Sequence, residues 1–307
     1  MVAMHKTAPN HFLSITDLSA TQILNLIKDA IKLKQYPVDD KSPLLHQTMV
    51  MLFDKPSLRT RLSFEIGITQ LGGHATYLAP DDIKLGIRET IKDSAKVISS
   101  MADCIVARVS NHTTVQELAQ NSSVPVINAM TDQEHPCQTL ADLLTIYEVF
   151  GTFKGLKIAY LGDAHNNVTN SLALACGILD MQLAIASPRG YELSKDILAI
   201  SSNVTQDNTP QQAITDAQVV VTDTWVSMGR EAEASERLRK LAPYQVTQEL
   251  MTQADPKAIF MHCLPAYRGK EVSADVIDGR QSVVFQEAEN RLHAQKALLR
   301  HVLQCTT

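Results

Sequence analysis

Short apolar runs alternate with longer amphipathic stretches along the whole chain, and that rhythm restricts the fold to helices packed on parallel sheets. The runs are TMVMLF (48–53), ATYLA (75–79), CIVARV (104–109), VPVIN (124–128), LKIAYLG (156–162), QLAIAS (182–187), QVVVTD (218–223), AIFMHC (258–263) and SVVF (282–285). Between them, RLSFEIGITQL (61–71) sets Leu62, Phe64, Ile68 and Leu71 along one face at helical spacing. TIKDSAKVISSMA (90–102) does the same with Ile91, Ala95, Ile98 and Met101 or Ala102, and HPCQTLADLLTIYEVFG (135–151) reads as a helix that links two halves. A chain of 307 residues, 45% hydrophobic, can bury two cores of ordinary size. The expected fold is α/β: two domains, each a central parallel sheet flanked by helices in the doubly wound, Rossmann-like manner. SSNVTQDNTP (201–210) reads as a surface loop.

Charge narrows the function. With 28 Lys+Arg against 33 Asp+Glu, the formal charge of −5 offers no basic field for nucleic acid or an anionic membrane, so any bound anion must be caught locally. No run approaches transmembrane length, and MVAMHKTAPNHF lacks the apolar core of a signal peptide, so a cytoplasmic enzyme is expected. Cys104, Cys137, Cys176, Cys263 and Cys305 are scattered without a CxxC pair, which argues against a zinc site or a disulfide framework.

Ligands of parallel sheets bind beyond the carboxyl ends of the strands, and here those ends collect Arg, His, Gln, Asn, Trp and Cys. In KPSLRTR (55–61), Pro56 suits a first helical turn, and the residues after it offer free N–H groups, the Ser57 and Thr60 hydroxyls, Arg59 and Arg61: a phosphate cradle without the Walker glycine pattern. The plain alternative is a helix start with solvated arginines. Arg108 ends an apolar strand and needs a partner, either a ligand anion or a neighbouring carboxylate. His135 and Gln138, three apart at a helix start, can face one cleft, although a capping histidine fits equally. LGDAHNN (161–167) has no GxGxxG, so dinucleotide binding is disfavoured, and Asp163, Asn166 and Asn167 are also candidate caps. In DTWVSMG, Asp223 can bind an ammonium and Met228 can cover an aliphatic chain.

Taken in order, SLRTR (57–61), HPCQ (135–138), DTWVSMG (223–229), HCLP (262–265) and EAENR (287–291) resemble the aspartate/ornithine carbamoyltransferase family over nearly the whole chain, and the second half resembles its ornithine branch. The resemblance implies a carbamoyl phosphate-binding domain (1–148, with the C-terminal helix 287–307 packing back on it), an ornithine-binding domain (149–286) and an active site in the interdomain cleft. It implies that Ser57, Leu58, Arg59 and Thr60 surround the phosphate, that Arg108, His135 and Gln138 reach the carbamoyl group, and that Arg291 completes the anion site. Asn167, Asp223, Ser227 and Met228 would hold the α-amino and α-carboxyl groups, with Cys263 and Leu264 where the amine meets the carbamoyl carbon. Lys84, in DDIKLG, would reach a neighbouring subunit's site in a trimer. Leu58 replaces the threonine of many members and removes one hydroxyl contact. GDAHNN is longer than the GDGNN form, so either Asn166 or Asn167 answers to the family asparagine.

The implied reaction is attack of the δ-amine of ornithine on carbamoyl phosphate, giving citrulline and phosphate, in arginine biosynthesis. Arg108, His135, Cys263 and Thr60 are its candidate catalytic residues, and no metal or organic cofactor is called for because the leaving group is already activated. Alternatives are a carbamoyltransferase for putrescine or an acylated ornithine, and a non-catalytic binding subunit of the same fold. His262 beside Cys263 invites a thiolate reading, but neighbours in an extended segment point to opposite sides, which speaks against a dyad. The resemblance further implies a cis Leu264–Pro265 bond.

Overall fold

The computed structural model describes residues 9–36, 42–80, 85–206, 209–226 and 233–304. The chain divides into two compact units: residues up to 141 together with those from 291 onward, and residues 142–290. Both divisions fall inside helices, Pro136–Phe150 and Val284–Gln304.

The first unit holds a four-stranded sheet of β1 (Thr48–Phe53), β2 (His74–Leu78), β3 (Cys104–Arg108) and β4 (Val126–Met130) in the order β2-β1-β3-β4. Every pairing is parallel; Met49 lies opposite Cys104 and Phe53 opposite Arg108. Val50, Leu52, Ile105 and Ala107 share a buried core with Ala95 and Ile98 of the helix Ile91–Ser99 and with Val115 and Leu118 of the helix His112–Asn121.

The second unit has five parallel strands: β5 (Lys157–Leu161), β6 (Gln182–Ala186), β7 (Val204–Thr205), β8 (Val219–Val221) and β9 (Ile259–Met261), in the order β7-β6-β5-β8-β9. Each sheet reverses its winding beside its first strand, between β1 and β3 in one and between β5 and β8 in the other. Open α/β sheets bind ligands at such reversals, outside the carboxyl ends of the strands. Among the described residues no helix is long and apolar enough to cross a membrane.

The sequence expectations fail at definite places. Residues 282–285 are not a strand: Ser282 makes a single bridge to Phe260, and the helix Val284–Gln304 begins two residues later, with Val284 buried and Phe285 exposed. The stretch 201–210 holds β7, an edge strand too short to show a period. The fourth strand begins after Pro125, which has no N–H to give to a ladder. Leu62 faces outward while Phe64, Ile68 and Leu71 are buried, and Ala102 rather than Met101 completes the buried face of its segment. Pro56 stands before the N-cap Ser57, outside the first turn of the helix Leu58–Gln70.

Candidate active-site residues

In the first unit the sites implied by sequence gather where β1 and β3 end. Ser57 is the N-cap of Leu58–Gln70, but its side chain makes no capping bond. The first N–H groups of this helix therefore have no side-chain cap from Ser57, and the helix dipole favours an anion at that end. Leu58 is 71% exposed, so its side chain adds nothing to an anion site and its backbone N–H is what it can offer. The two arginines of the motif part company. Arg61 pairs with Glu65 at 3.1 Å and lies over the Tyr77 ring, 4.0 Å from its centroid, which is the plain structural role.

Thr60 is buried at the centre of the group. Its Oγ1 accepts from Arg108 Nη1 at 3.5 Å and from Arg291 Nη2 at 3.3 Å. Arg291 Nη1 also donates to Gln138 Oε1 at 2.7 Å. Arg108, His135, Gln138 and Arg291 are all buried. Burial, followed by the charges of Arg291, Arg108 and Arg59, holds the His135 imidazole well below its ordinary range. At neutral pH the ring is uncharged and can donate one N–H while bearing no charge of its own. The first unit thus presents a concentrated positive field with N–H donors, suited to a phosphorylated ligand.

In the second unit Asn167, Asp223 and Cys263 follow the ends of β5, β8 and β9. Asn166 is the N-cap of the helix Asn167–Leu179, its Oδ1 accepting from Thr169 N at 2.9 Å. The cap belongs to Asn166, and Asn167 is the first helical residue. Asp163 is not a cap: it forms a buried ion pair with Arg237, and its Oδ1 accepts from His165 N at 3.0 Å. Asp223 Oδ1 accepts from Thr224 N at 2.7 Å and from Cys263 Sγ at 3.3 Å. Lys84, Ser227 and Met228 lie outside the described residues.

The thiolate reading fails on observed bonds. Strand alternation ends with β9 at Met261, and ligand atoms of Asp223, His262 and Cys263 come within 4.8 Å of one another, nearer than an extended segment would bring them. His262 Nδ1, however, already accepts from Leu264 N at 2.9 Å, and its Nε2 is 3.4 Å from Glu271. Burial, then the carboxylates of Asp223, Glu287 and Asp142, push the Cys263 thiol well above its ordinary value. Cys263 is a protonated donor to Asp223. The same three side chains are the one grouping of potential metal ligands among the described residues, and their donors are engaged with protein partners. The Leu264–Pro265 peptide is cis, and Leu264 has φ of +59°.

Sequence reasoning did not assign Glu287, whose Oε2 accepts from His262 N at 2.9 Å and fixes the start of HCLP. Burial and the neighbouring Asp142 push the Glu287 carboxyl well above its usual value. Its place in EAENR was visible, but its tie to a segment 25 residues earlier was not.

The family model of the carbamoyl-P binding domain of aspartate/ornithine carbamoyltransferase matches residues 10–148, and that of the Asp/Orn binding domain matches residues 154–302. The chain belongs to the aspartate/ornithine carbamoyltransferase family. Within it, the ornithine carbamoyltransferase of Anoxybacillus flavithermus is 47% identical over 309 residues, covering 97% of this chain and 98% of the relative. That of Bacillus subtilis is 48% identical over 300 residues, covering 95% and 93%. Among solved structures, ornithine carbamoyltransferase from Pyrococcus furiosus superposes with a TM-score of 0.93 at 43% identity, covering 98% of this chain and 99% of the other. The anabolic ornithine carbamoyltransferase from Campylobacter jejuni gives 0.91 at 38% identity, covering 96% and 99%.

Proposed function

We propose that this protein transfers the carbamoyl group of carbamoyl phosphate to the δ-amine of L-ornithine, forming L-citrulline and phosphate, and that it serves arginine biosynthesis in the cytoplasm. The observation that carries this reading is one chain bearing two complementary groups. Arg108 and Arg291 converge on Thr60 beside an uncharged His135 in the first unit, and the Asp223–Cys263 pair sits at the ends of β8 and β9 in the second. The first suits a phosphorylated electrophile and the second an amino acid. The likeness to an anabolic enzyme supports the biosynthetic direction.

In this reading the uncapped start of Leu58–Gln70, with Ser57, Leu58 N–H, Arg59 and Thr60, holds the phosphate. Arg108, His135 and Gln138 take the carbamoyl group, and Arg291 orients Gln138 and Thr60. Asn167 and Asp223 receive the α-carboxylate and α-ammonium, with Ser227 and Met228 assigned there from the sequence, and Cys263 and Leu264 border the incoming amine. An alkylammonium has a pKa near ~10.4, so presenting it neutral at pH 7 costs roughly 4–5 kcal/mol. The neutral amine attacks the carbonyl carbon, and charge that develops on the carbonyl oxygen meets N–H donors of Arg108 and His135 and the Thr60 hydroxyl. Collapse breaks the C–O bond to phosphate. From ornithine as its ammonium, the balance is citrulline, hydrogen phosphate and one released proton.

Citrulline formation measured side by side with ornithine, putrescine, aspartate and N-acetylornithine tests the substrate. Ornithine is expected to give the highest kcat/KM, and preference for any of the others would overturn the assignment.

The reading includes a homo-oligomer, a trimer in which Lys84 of one copy serves its neighbour. Its support is a stripe on the helix Leu58–Gln70, where Leu58, Leu62 and Ile66 recur every fourth residue and stand 71%, 46% and 41% exposed. Three aligned, exposed apolar side chains support an interaction surface on this helix. The double substitution Leu62→Glu with Ile66→Glu is expected to reduce the sedimentation mass to that of a single chain, and an unchanged mass would remove this surface from the interface.

A further inference from the structure

The helix Ala234–Leu241 is rich in charge, and Glu236, Arg239 and Lys240 are exposed, as a solvated helix face should be. Arg237 is different: it is 3% exposed. Its Nη2 donates to the Asp163 carboxylate, itself only 6% exposed, and its Nε donates to the Trp225 carbonyl at 2.6 Å. The Tyr191 ring centroid is 5.0 Å from the guanidinium carbon, and Glu233 is 3.8 Å from Nη1.

A buried ion pair is an expensive device for stability alone, since hydrophobic residues of similar volume often serve as well or better. The partners of Arg237 give it another use. Asp163 lies in the turn after β5, where its carbonyl accepts from Tyr160 Oη at 2.8 Å and from Asn166 Nδ2 at 2.6 Å. Asn166 in turn caps the helix that begins with Asn167. Trp225 lies two residues beyond Asp223, and between them Thr224 Oγ1 donates to the Pro265 carbonyl at 2.8 Å. One guanidinium therefore joins the loops on both sides of the β5/β8 reversal, and through Thr224 the second loop reaches the HCLP segment.

We propose that Arg237 is a positioning residue for the amino-acid substrate: it sets the spacing between the loop of Asn167 and the loop of Asp223 to match one α-carbon bearing an ammonium and a carboxylate. The inference rests on the proposed amino-acid role of these two residues, and its geometry lies entirely within the second unit. The guanidinium is suited to this because its fork is planar and can serve two oxygens on different segments at once.

The test uses the full-length enzyme and its single tryptophan, Trp225, which sits at the contact in question. Wild type and Arg237→Gln are titrated with the amine that the wild type converts best, following Trp225 fluorescence, and KM is measured for both substrates. The expected result is a roughly tenfold or greater rise in Kd and KM for the amino acid, about 1.4 kcal/mol or more, with KM for carbamoyl phosphate within about twofold of wild type. Asp163→Asn should reproduce the split. Arg237→Lys should lie between, because it keeps the charge facing Asp163 but loses the Nε–Trp225 bond. If Arg237→Gln does not fold, the lysine variant carries the same comparison. Equal rises in both KM values, or a lower melting temperature with both unchanged, would overturn the inference. A wild type that converts an amine other than ornithine would overturn the substrate assignment instead.

Discussion

Arg108→Ala is expected to lower kcat by roughly 10²–10³-fold, about 2.7–4 kcal/mol of lost transition-state stabilisation, the range for loss of one oxyanion donor. The reason lies in where β3 ends. Arg108 is opposite Phe53 across the β1–β3 pair, so its guanidinium comes up beside the turn that launches the helix Leu58–Gln70 and reaches Thr60. Arg108 and Arg291 share that hydroxyl and both depress the pKa of His135, which marks them as one mutually repelling cationic group. Removing one cation relieves repulsion among the others, so the melting temperature should change little while turnover falls. Steady-state kinetics combined with a thermal melt separates the two effects. A loss below about fivefold, or an equal loss in a variant that melts far earlier, would show that Arg108 serves the fold rather than the reaction. Arg108→Lys should recover only part of the rate, since an ammonium lacks the fork.

Gly162→Ala is expected to destabilise the protein by roughly 2–5 kcal/mol, combining backbone strain with overpacking. Gly162 has φ of +121°, a region that L side chains rarely adopt, and a Cβ there would stand 2.9 Å from Trp225 Nε1 and 3.4 Å from Thr222 Oγ1. Neither neighbour can yield freely. The Trp225 ring is buried and its carbonyl is held by Arg237, while Thr222 Oγ1 is bonded to the Leu161 carbonyl at 2.6 Å. Denaturant unfolding should show the midpoint shift, and amino-acid KM should rise in whatever fraction folds. A variant as stable as wild type would mean that the β5 turn is free to move, contrary to the bonds around it.

Particular residues show what the sequence could and could not reveal. The parallel sheets were legible because burial on both faces leaves continuous apolar runs, and β1, β3, β5 and β6 stand close to where those runs lie. The run at 282–285 misled because two adjacent valines satisfy a strand and the first turn of a buried helix alike; length and neighbours decide, and Ser282 had only one residue to pair with. Arg108 was open to two readings, a ligand anion or a carboxylate, and its bond to the Thr60 hydroxyl is one that neither reading named. Arg59 and Arg61 look equivalent in SLRTR, and only the helical turn sends Arg61 out to Glu65 and Tyr77. Arg237 was not legible at all. In ERLRK nothing but the phase of the helix distinguishes it from Arg239, and that phase is fixed by the burial of Leu241 four residues on.

The two sheet reversals have a consequence for inheritance. Because each lies inside its own unit, with its own core and its own loops, the ends of β5, β8 and β9 can be rewritten while every residue around Thr60 stays as it was. The two matching domain families carry the same asymmetry, one binding carbamoyl-P and the other aspartate or ornithine. Change can thus act on half a protein at a time, remaking the loops of one unit while leaving those of the other intact.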